Sequence, residues 1–326
     1  MYSQERMMNF RWISRIMATY SPHTLSHTDI AALDLSVELS ELGQFAHIAF
    51  SSLPTTFIFE KLDLLMEADF PLEGYDALKG TVLISVVRGK VANLGAYVAY
   101  RPSTKQLVVS ISGTSNISQA LQDLGTLKHK HPAGGGCAVH AGFWNMYKGI
   151  KPEVIDAVTK GLCEHDVTEL VLTGHSLGGA ISYLLAIDLL VPGGLELPPG
   201  LALKLAVFGS PRCGNAQMLQ RWLDLSKEYR TKNGEDSLKE YSVKAYNDGN
   251  YYQSSLHYNE ADSPKGVPSL PPKAFGFRHF ALNPLYLMQG QLYHTPPAEA
   301  EFCLFHISTE DDEISRISSY PLGMLA

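Results

Sequence analysis

The chain of 326 residues lacks the patterns that mark several common functional classes. Its four cysteines stand far apart without a C-x-x-C pair, which argues against a zinc or redox motif and leaves disulfides open. No His, Asp and Glu cluster has metal-ligand spacing. Basic residues form no stripe and the formal net charge is −7, which argues against a nucleic-acid partner.

Long apolar runs are also missing. No stretch reaches the roughly 18 apolar residues that a transmembrane segment needs. Residues 1–20 are interrupted by Arg6, Arg11 and Arg15, so they lack the apolar core of a secretory signal. We therefore predict a cytoplasmic protein, with secretion as the alternative if the recorded start codon is wrong.

What the sequence does have is an apolar composition, 45% hydrophobic and 18% charged, that can bury a large core. Residues 1–80 are predicted as an N-terminal helical region that packs on a core of residues 81–326, as one structural domain. In the core, strands alternate with helices, which predicts an α/β fold with a mostly parallel sheet flanked by helices. The predicted strands are 81–91, 94–100, 106–112, 169–173, 203–208, 242–246 and 302–307, and the predicted helices are 116–128, 143–163, 177–190 and 217–229.

The segment around Ser176 is the clearest chemical motif. Gly174, Ser176 and Gly178 form a G-x-S-x-G pattern between an apolar strand and a long helix, which is typical of a nucleophile elbow. Glycines two residues before and after the serine avoid clashes at the sharp turn. The alternative, a glycine-rich turn with an incidental serine, does not explain the flanking elements.

A serine nucleophile also needs an oxyanion hole. The Leu177 amide lies at a helix N-terminus, where unpaired N–H groups favour negative charge. Thr114 follows the strand 106–112 and is predicted to supply the second donor, although it could be an ordinary turn residue.

Five motifs in this order resemble the fungal class 3 lipases, over about residues 80–310. They are Ile111-Ser112-Gly113-Thr114, Val139-His140-Ala141-Gly142-Phe143, the Ser176 elbow, Phe208-Gly209-Ser210-Pro211-Arg212 and Val267-Pro268-Ser269-Leu270-Pro271-Pro272. The resemblance implies an α/β-hydrolase fold, hydrolysis of acylglycerol esters at a lipid–water interface, no metal or organic cofactor, and a short helical lid at residues 116–130.

The same resemblance indicates the acid of a Ser, Asp, His triad. Family members carry it in a segment like N-D-x-V-P-x-L-P-P, which residues 250–266 interrupt here. If this stretch is an insertion, Asp248 is the acid, because removing the stretch restores the family segment. Asp262, inside the stretch, is the alternative.

The base is harder to place. The family histidine lies in a C-terminal segment like P-x-G-G-H, whereas this chain ends soon after Tyr320-Pro321-Leu322-Gly323. His306 is the candidate base, with His279 and His294 as alternatives.

Other histidines are predicted to have structural roles. His140 belongs to a structural family motif, and His175 is expected to point away from the nucleophile and to be packed. His129 and His131, among lysines, are expected to be solvated.

Two functions follow from these patterns. The favoured one is a serine carboxylic ester hydrolase of lipid metabolism that acts on acylglycerols or related lipid esters through an acyl-enzyme on Ser176. The alternative is a lipase-like binding or signalling protein that keeps the fold but lacks the catalytic histidine.

Overall fold

The computed structural model describes residues 19–113, 127–245, 267–288 and 290–308. Within them, strands β1 to β12 are, in chain order, Tyr20–Leu25, Val82–Arg88, Gly95–Arg101, Gln106–Ile111, Lys128–Lys130, Ala138–His140, Glu169–His175, Ala202–Phe208, Leu238–Ala245, Pro284–Met288, Gln291–His294 and Leu304–Ile307. Helices α1 to α6 are Leu33–Phe50, Thr55–Glu60, Leu62–Leu65, Ala141–Glu164, Leu177–Leu190 and Ala216–Asn233.

The main sheet of the described residues has the strand order β11-β10-β9-β8-β7-β4-β3-β2. Strands β4, β7, β8, β9 and β10 run parallel, whereas β2, β3 and β11 join as antiparallel edges. In the centre of the sheet, Ile111 pairs with Gly174, and Gly174 pairs with Val207. The carboxyl ends of β4, β7 and β8 therefore meet at one edge, the usual place for a site in a parallel sheet.

Helices cover both faces of this sheet because its strands alternate apolar side chains between two cores. Leu172 belongs to the core shared with α4, α5 and α6, and its neighbour Val171 belongs to the core shared with α1, α2 and α3. Helix α5 is buried from Leu177 to Leu189, as expected of a helix that is apolar all round. This packing fixes the position of Ser176, the residue before α5.

Most predicted elements are present with small shifts of their ends, whereas β1, β5, β6, β10 and β11 were not predicted. One prediction is wrong in part. The helix proposed for 116–128 falls mainly outside the described residues, but Lys128–Lys130 form β5, which pairs with β6. Lys128 is exposed like the rest of β5 and belongs to this hairpin, so a helix cannot extend to it.

The four cysteines are free thiols, and only Cys163 among them is exposed. In the part of the chain that the structure describes, no helix is long and apolar enough to cross a membrane. The same residues contain no group of three or more His, Cys, Asp and Glu that could hold a metal ion.

Candidate active site

Ser176 occupies the sharp turn between β7 and α5. Its backbone angles are φ 55° and ψ −121°, a strained left-handed conformation that is rare for any residue except glycine. The Ser176 amide donates to the Phe208 carbonyl at 2.7 Å, which ties the turn to the end of β8. The sharp strand-to-helix turn that the sequence predicts is therefore present, with Ser176 at the helix N-terminus.

The elbow glycines are required by close backbone contacts. A Cβ atom on Gly178 would lie 2.0 Å from the Ile111 carbonyl oxygen, and one on Gly174 would lie 2.6 Å from the Gly178 carbonyl carbon. A Cβ on Gly113 would lie 3.0 Å from the His175 carbonyl oxygen. The end of β4 thus packs directly against the elbow, which brings the start of the predicted oxyanion loop beside Ser176.

The Ser176 hydroxyl is fully buried, and within the described residues its Oγ has no hydrogen-bond partner. Leu177 is the first residue of α5, so its amide has no acceptor inside the helix. A buried nucleophile beside an available N–H group is the arrangement that acyl transfer requires. Thr114, the predicted second donor, lies outside the described residues.

The remaining triad candidates are only partly described. Asp248 and its alternative Asp262 lie outside the described residues. His306 is exposed on β12, and its ring stacks on Tyr20 with centroids 4.9 Å apart. No described histidine bonds to the Ser176 hydroxyl.

The alternative bases differ in their surroundings. His294 is exposed at the end of β11. His279 is buried, and its Nε2 donates to the Pro268 carbonyl at 2.9 Å. Burial, with Lys244 and Arg212 nearby, holds the pKa of His279 well below its ordinary value. A histidine that already donates to the backbone in a cationic pocket is a structural residue.

His175 packs behind the elbow, as predicted. Its ring meets Phe50 edge-on at 6.3 Å, and its Nε2 lies close to Gly209. Burial, with a smaller contribution from nearby His47, lowers the pKa of His175 to about 4. His175 therefore stays neutral near pH 7.

Two further histidines, His140 and His131, are both buried. His140 is fully buried and caps α4, since its Nδ1 accepts from the Phe143 amide at 3.4 Å. His131 was predicted to be solvated, and this is wrong. Its side chain is buried against Trp144, with its Nε2 3.8 Å from the Asp188 carboxylate, because the hairpin folds it inward.

Arg212 supports the candidate site, although the motif that contains it predicted no role for it. Its side chain is buried, and Nη1 donates to the Ser269 carbonyl at 2.5 Å and to the Pro271 carbonyl at 3.2 Å. Its Nε pairs with the Glu301 carboxylate at 2.7 Å, and its amide donates to the Leu270 carbonyl at 2.8 Å. Arg212 therefore anchors the segment that follows the predicted acid. The sign of this role in the sequence is that a lone arginine ends an apolar motif.

Replacing Arg212 with leucine should lower the free energy of unfolding by about 3–5 kcal/mol, because the largely buried Glu301 carboxylate would lose its cationic partner. Urea denaturation measures the change. The matched control is Arg221→Leu, since Arg221 is more exposed and lies 3.7 Å from the exposed Glu228 carboxylate. That variant should change stability by less than about 1 kcal/mol, and equal losses in both variants would contradict the anchoring role.

The buried histidines predict a loss of stability in mild acid. Above pH 6.5, His175 is neutral in both the folded and the unfolded chain, so it contributes nothing. Between pH 6.5 and about 4, the unfolded chain binds a proton that the folded chain excludes, so stability decreases as the pH is lowered. His279, whose pKa is also lowered, acts in the same direction.

Between pH 7 and pH 4.5, the free energy of unfolding should therefore fall by about 1–3 kcal/mol less in the His175→Asn variant than in the parent. Urea unfolding at each pH measures the difference. The exposed His294→Asn variant should keep the parental pH dependence. Identical curves for all three proteins would show that His175 does not stay neutral in the fold.

Comparison with known proteins shows which family these residues resemble. The sequence profile described as "Lipase (class 3)" matches residues 108–245, which hold β4, the elbow, α5 and the Arg212 motif. A "Secreted mono- and diacylglycerol lipase 1" from Fusarium solani is 27% identical over 212 residues, which cover 64% of this chain and 52% of that protein. A "Lipase" from Rhizomucor miehei is 28% identical over 207 residues, 63% of this chain and 48% of that protein. Over these residues the chain is similar to the fungal class 3 lipases.

Solved structures of fungal lipases share the fold. The native Rhizomucor miehei lipase propeptide complex aligns with a TM-score of 0.60 at 19% identity, over 86% of this chain and 82% of that one. Lipase II from Rhizopus niveus aligns with a TM-score of 0.59 at 19% identity, over 82% of this chain and 88% of that one. The predicted α/β-hydrolase fold is confirmed.

The family relatives also bear on two other predictions. The chain spans about half the length of the curated relatives it matches. Several of those relatives are named as secreted lipases, so the comparisons do not support the cytoplasmic prediction. They likewise give no support to the alternative of a binding or signalling protein.

Proposed function

We propose that the chain hydrolyses carboxylic esters of lipids through an acyl-enzyme on Ser176. The observation that carries this proposal is the strained elbow, which holds a buried serine hydroxyl at the N-terminus of α5. Strain of this kind is kept only where surrounding structure enforces it, and it clusters at reactive residues. The family relatives are named lipases, which supports the choice of an ester substrate.

In the proposed reaction, Ser176 Oγ attacks the ester carbonyl carbon while its proton passes to a base. The carbonyl oxygen becomes an oxyanion, which the Leu177 amide and the Thr114 loop stabilise by hydrogen bonds. The carbon–oxygen bond to the alcohol then breaks, and the alcohol leaves with a proton from the base. Water attacks the acyl-enzyme in the same way, which releases the fatty acid and restores Ser176.

We propose Asp248 as the acid, because removal of residues 250–266 brings Asp248 to its family position before Val267 and Pro268. Val267 and Pro268 are buried, and the Ser269 and Pro271 carbonyls are held by Arg212. The base remains the prediction made from the sequence, His306, whose ring lies against Tyr20 on the β1–β12 pair.

The substrate class is proposed from the relatives. Among them, the Fusarium solani protein is named a mono- and diacylglycerol lipase. Acylglycerols at a lipid–water interface are therefore the first substrates to test, followed by related lipid esters. Neutral substrates also agree with the chain's net charge of −7.

A fluorophosphonate probe tests the nucleophile without requiring fast turnover. The probe should form a covalent adduct on Ser176 that peptide mass spectrometry locates, since an activated serine attacks phosphorus as it attacks a carbonyl. Heat-unfolded protein is the control and should give no adduct. An adduct spread over other serines, or none in the folded chain, would overturn the proposed function.

A further inference from the structure

Two distant segments of the chain meet beside the β5–β6 hairpin. The Lys128 ammonium donates to the Phe275 carbonyl at 2.5 Å and lies 5.1 Å from the centre of the Phe277 ring. These contacts join residues 127–136 to residues 273–280. The two segments therefore present one continuous surface.

This surface is positively charged in an acidic protein. Neither segment contains Asp or Glu, whereas the whole chain has a net charge of −7. Within the described ranges, no carboxylate forms an ion pair with any of the segments' cations, although other cations such as Lys105 are paired. The cations of the two segments are Lys128, Lys130, Lys273 and Arg278.

Large apolar side chains stand among these cations. Leu127 is 72% exposed and Phe275 is 54% exposed. Lys128 and Lys130 project from the same side of β5 by strand alternation, while His129 stacks on Trp144 on the other side. We call Leu127, Lys128, Lys130, Lys273, Phe275 and Arg278 the basic–apolar patch.

We propose that the basic–apolar patch docks the protein on an anionic lipid surface. Lysines and arginines close to a negatively charged membrane are attracted to it, and exposed leucine and phenylalanine side chains enter its apolar boundary. Charge complementarity favours an anionic surface over a neutral one. The inference goes beyond ester hydrolysis, because docking requires the patch and not the chemistry of Ser176.

Vesicle co-sedimentation of the full chain tests the docking. Ser176→Ala is used as the parent, so that hydrolysis cannot alter the vesicles and failure of the proposed chemistry does not affect the result. Phosphatidylglycerol vesicles should bind the protein at least about tenfold more strongly than phosphatidylcholine vesicles, and added salt should weaken this binding. Equal binding to both vesicles, or none to phosphatidylglycerol, would overturn the proposal.

Charge reversal locates the docking surface. The pair Lys130→Glu and Lys273→Glu should lower the partition coefficient on phosphatidylglycerol vesicles on the order of 30-fold. The control pair, Lys227→Glu and Lys232→Glu, makes the same change in net charge on exposed positions of α6 and should change it by less than about twofold. Equal losses in both pairs would show a general charge effect and refute the patch.

Phe275→Ser separates a lipid surface from a soluble polyanion. It should weaken vesicle binding at high salt by about fivefold, since the apolar contribution is not screened. Unchanged vesicle binding in this variant, together with full competition by heparin, would assign the patch to polyanions and overturn lipid docking. Unaltered melting temperatures confirm that the variants fold.

Discussion

Replacing Ser176 with alanine should lower ester hydrolysis by at least about a thousandfold, while the protein stays folded. The loss is large because the acyl-enzyme cannot form, and only the oxyanion donors and substrate binding remain to accelerate the reaction. Hydrolysis of a short-chain aryl ester by the full chain measures it. The fold should survive because alanine is no larger than serine, and the described residues make no hydrogen bond to the Ser176 hydroxyl.

Ser103→Ala is the control for this prediction, because Ser103 is exposed in the turn between β3 and β4. It should keep the parental rate. If Ser176→Ala and the parent hydrolyse the ester equally fast, the chain has no serine esterase activity, and the proposed function is wrong.

The elbow could be predicted from the sequence because its constraints are local. A glycine, a serine and a glycine at fixed spacing between an apolar strand and an apolar helix leave few backbone arrangements. The structure adds what lies across the turn. The close neighbour of Gly178 is Ile111, on a strand far away in sequence, so the tightest contact in the site could not be derived from the motif alone.

The residues that support the site show the opposite case. Arg212 contacts carbonyls between Ser269 and Pro271 and the Glu301 carboxylate, all distant in sequence. Similarly, His131 lies among lysines in the sequence but is buried against Trp144 in the fold. Side-chain environments formed by distant segments depend on tertiary packing, which local composition does not encode.

Like the elbow, the fold class could be predicted from local patterns in the sequence. Alternating strands and helices specify a parallel sheet, and the buried centres of β4 and β7, residues 107–109 and 170–172, are continuous apolar runs. By contrast, the strands Pro284–Met288 and Gln291–His294 could not be predicted, because they have only five and four residues and the first begins with proline.

Gly178→Ala should destabilise the protein by more than about 3 kcal/mol, the largest effect expected of a single added methyl group here. The new Cβ would lie 2.0 Å from the Ile111 carbonyl oxygen and 2.9 Å from its carbonyl carbon. Both contacts are with backbone in the centre of the sheet, so no side-chain rotation relieves them, and β4 must separate from α5. Urea denaturation, or loss of soluble protein on expression, measures the effect.

Gly149→Ala makes the same chemical change in α4 and should be neutral or stabilise the chain by up to about 1 kcal/mol. A Cβ there would lie 3.5 Å from the nearest Val91 atoms, which is ordinary van der Waals contact. Alanine also stabilises a helix more than glycine does. The contrast between the two variants isolates the clash, because the chemical change and the added volume are the same in both. A Gly178→Ala protein as stable as the parent would mean that β4 does not press against the elbow, and the placement of the oxyanion loop beside Ser176 would fail with it.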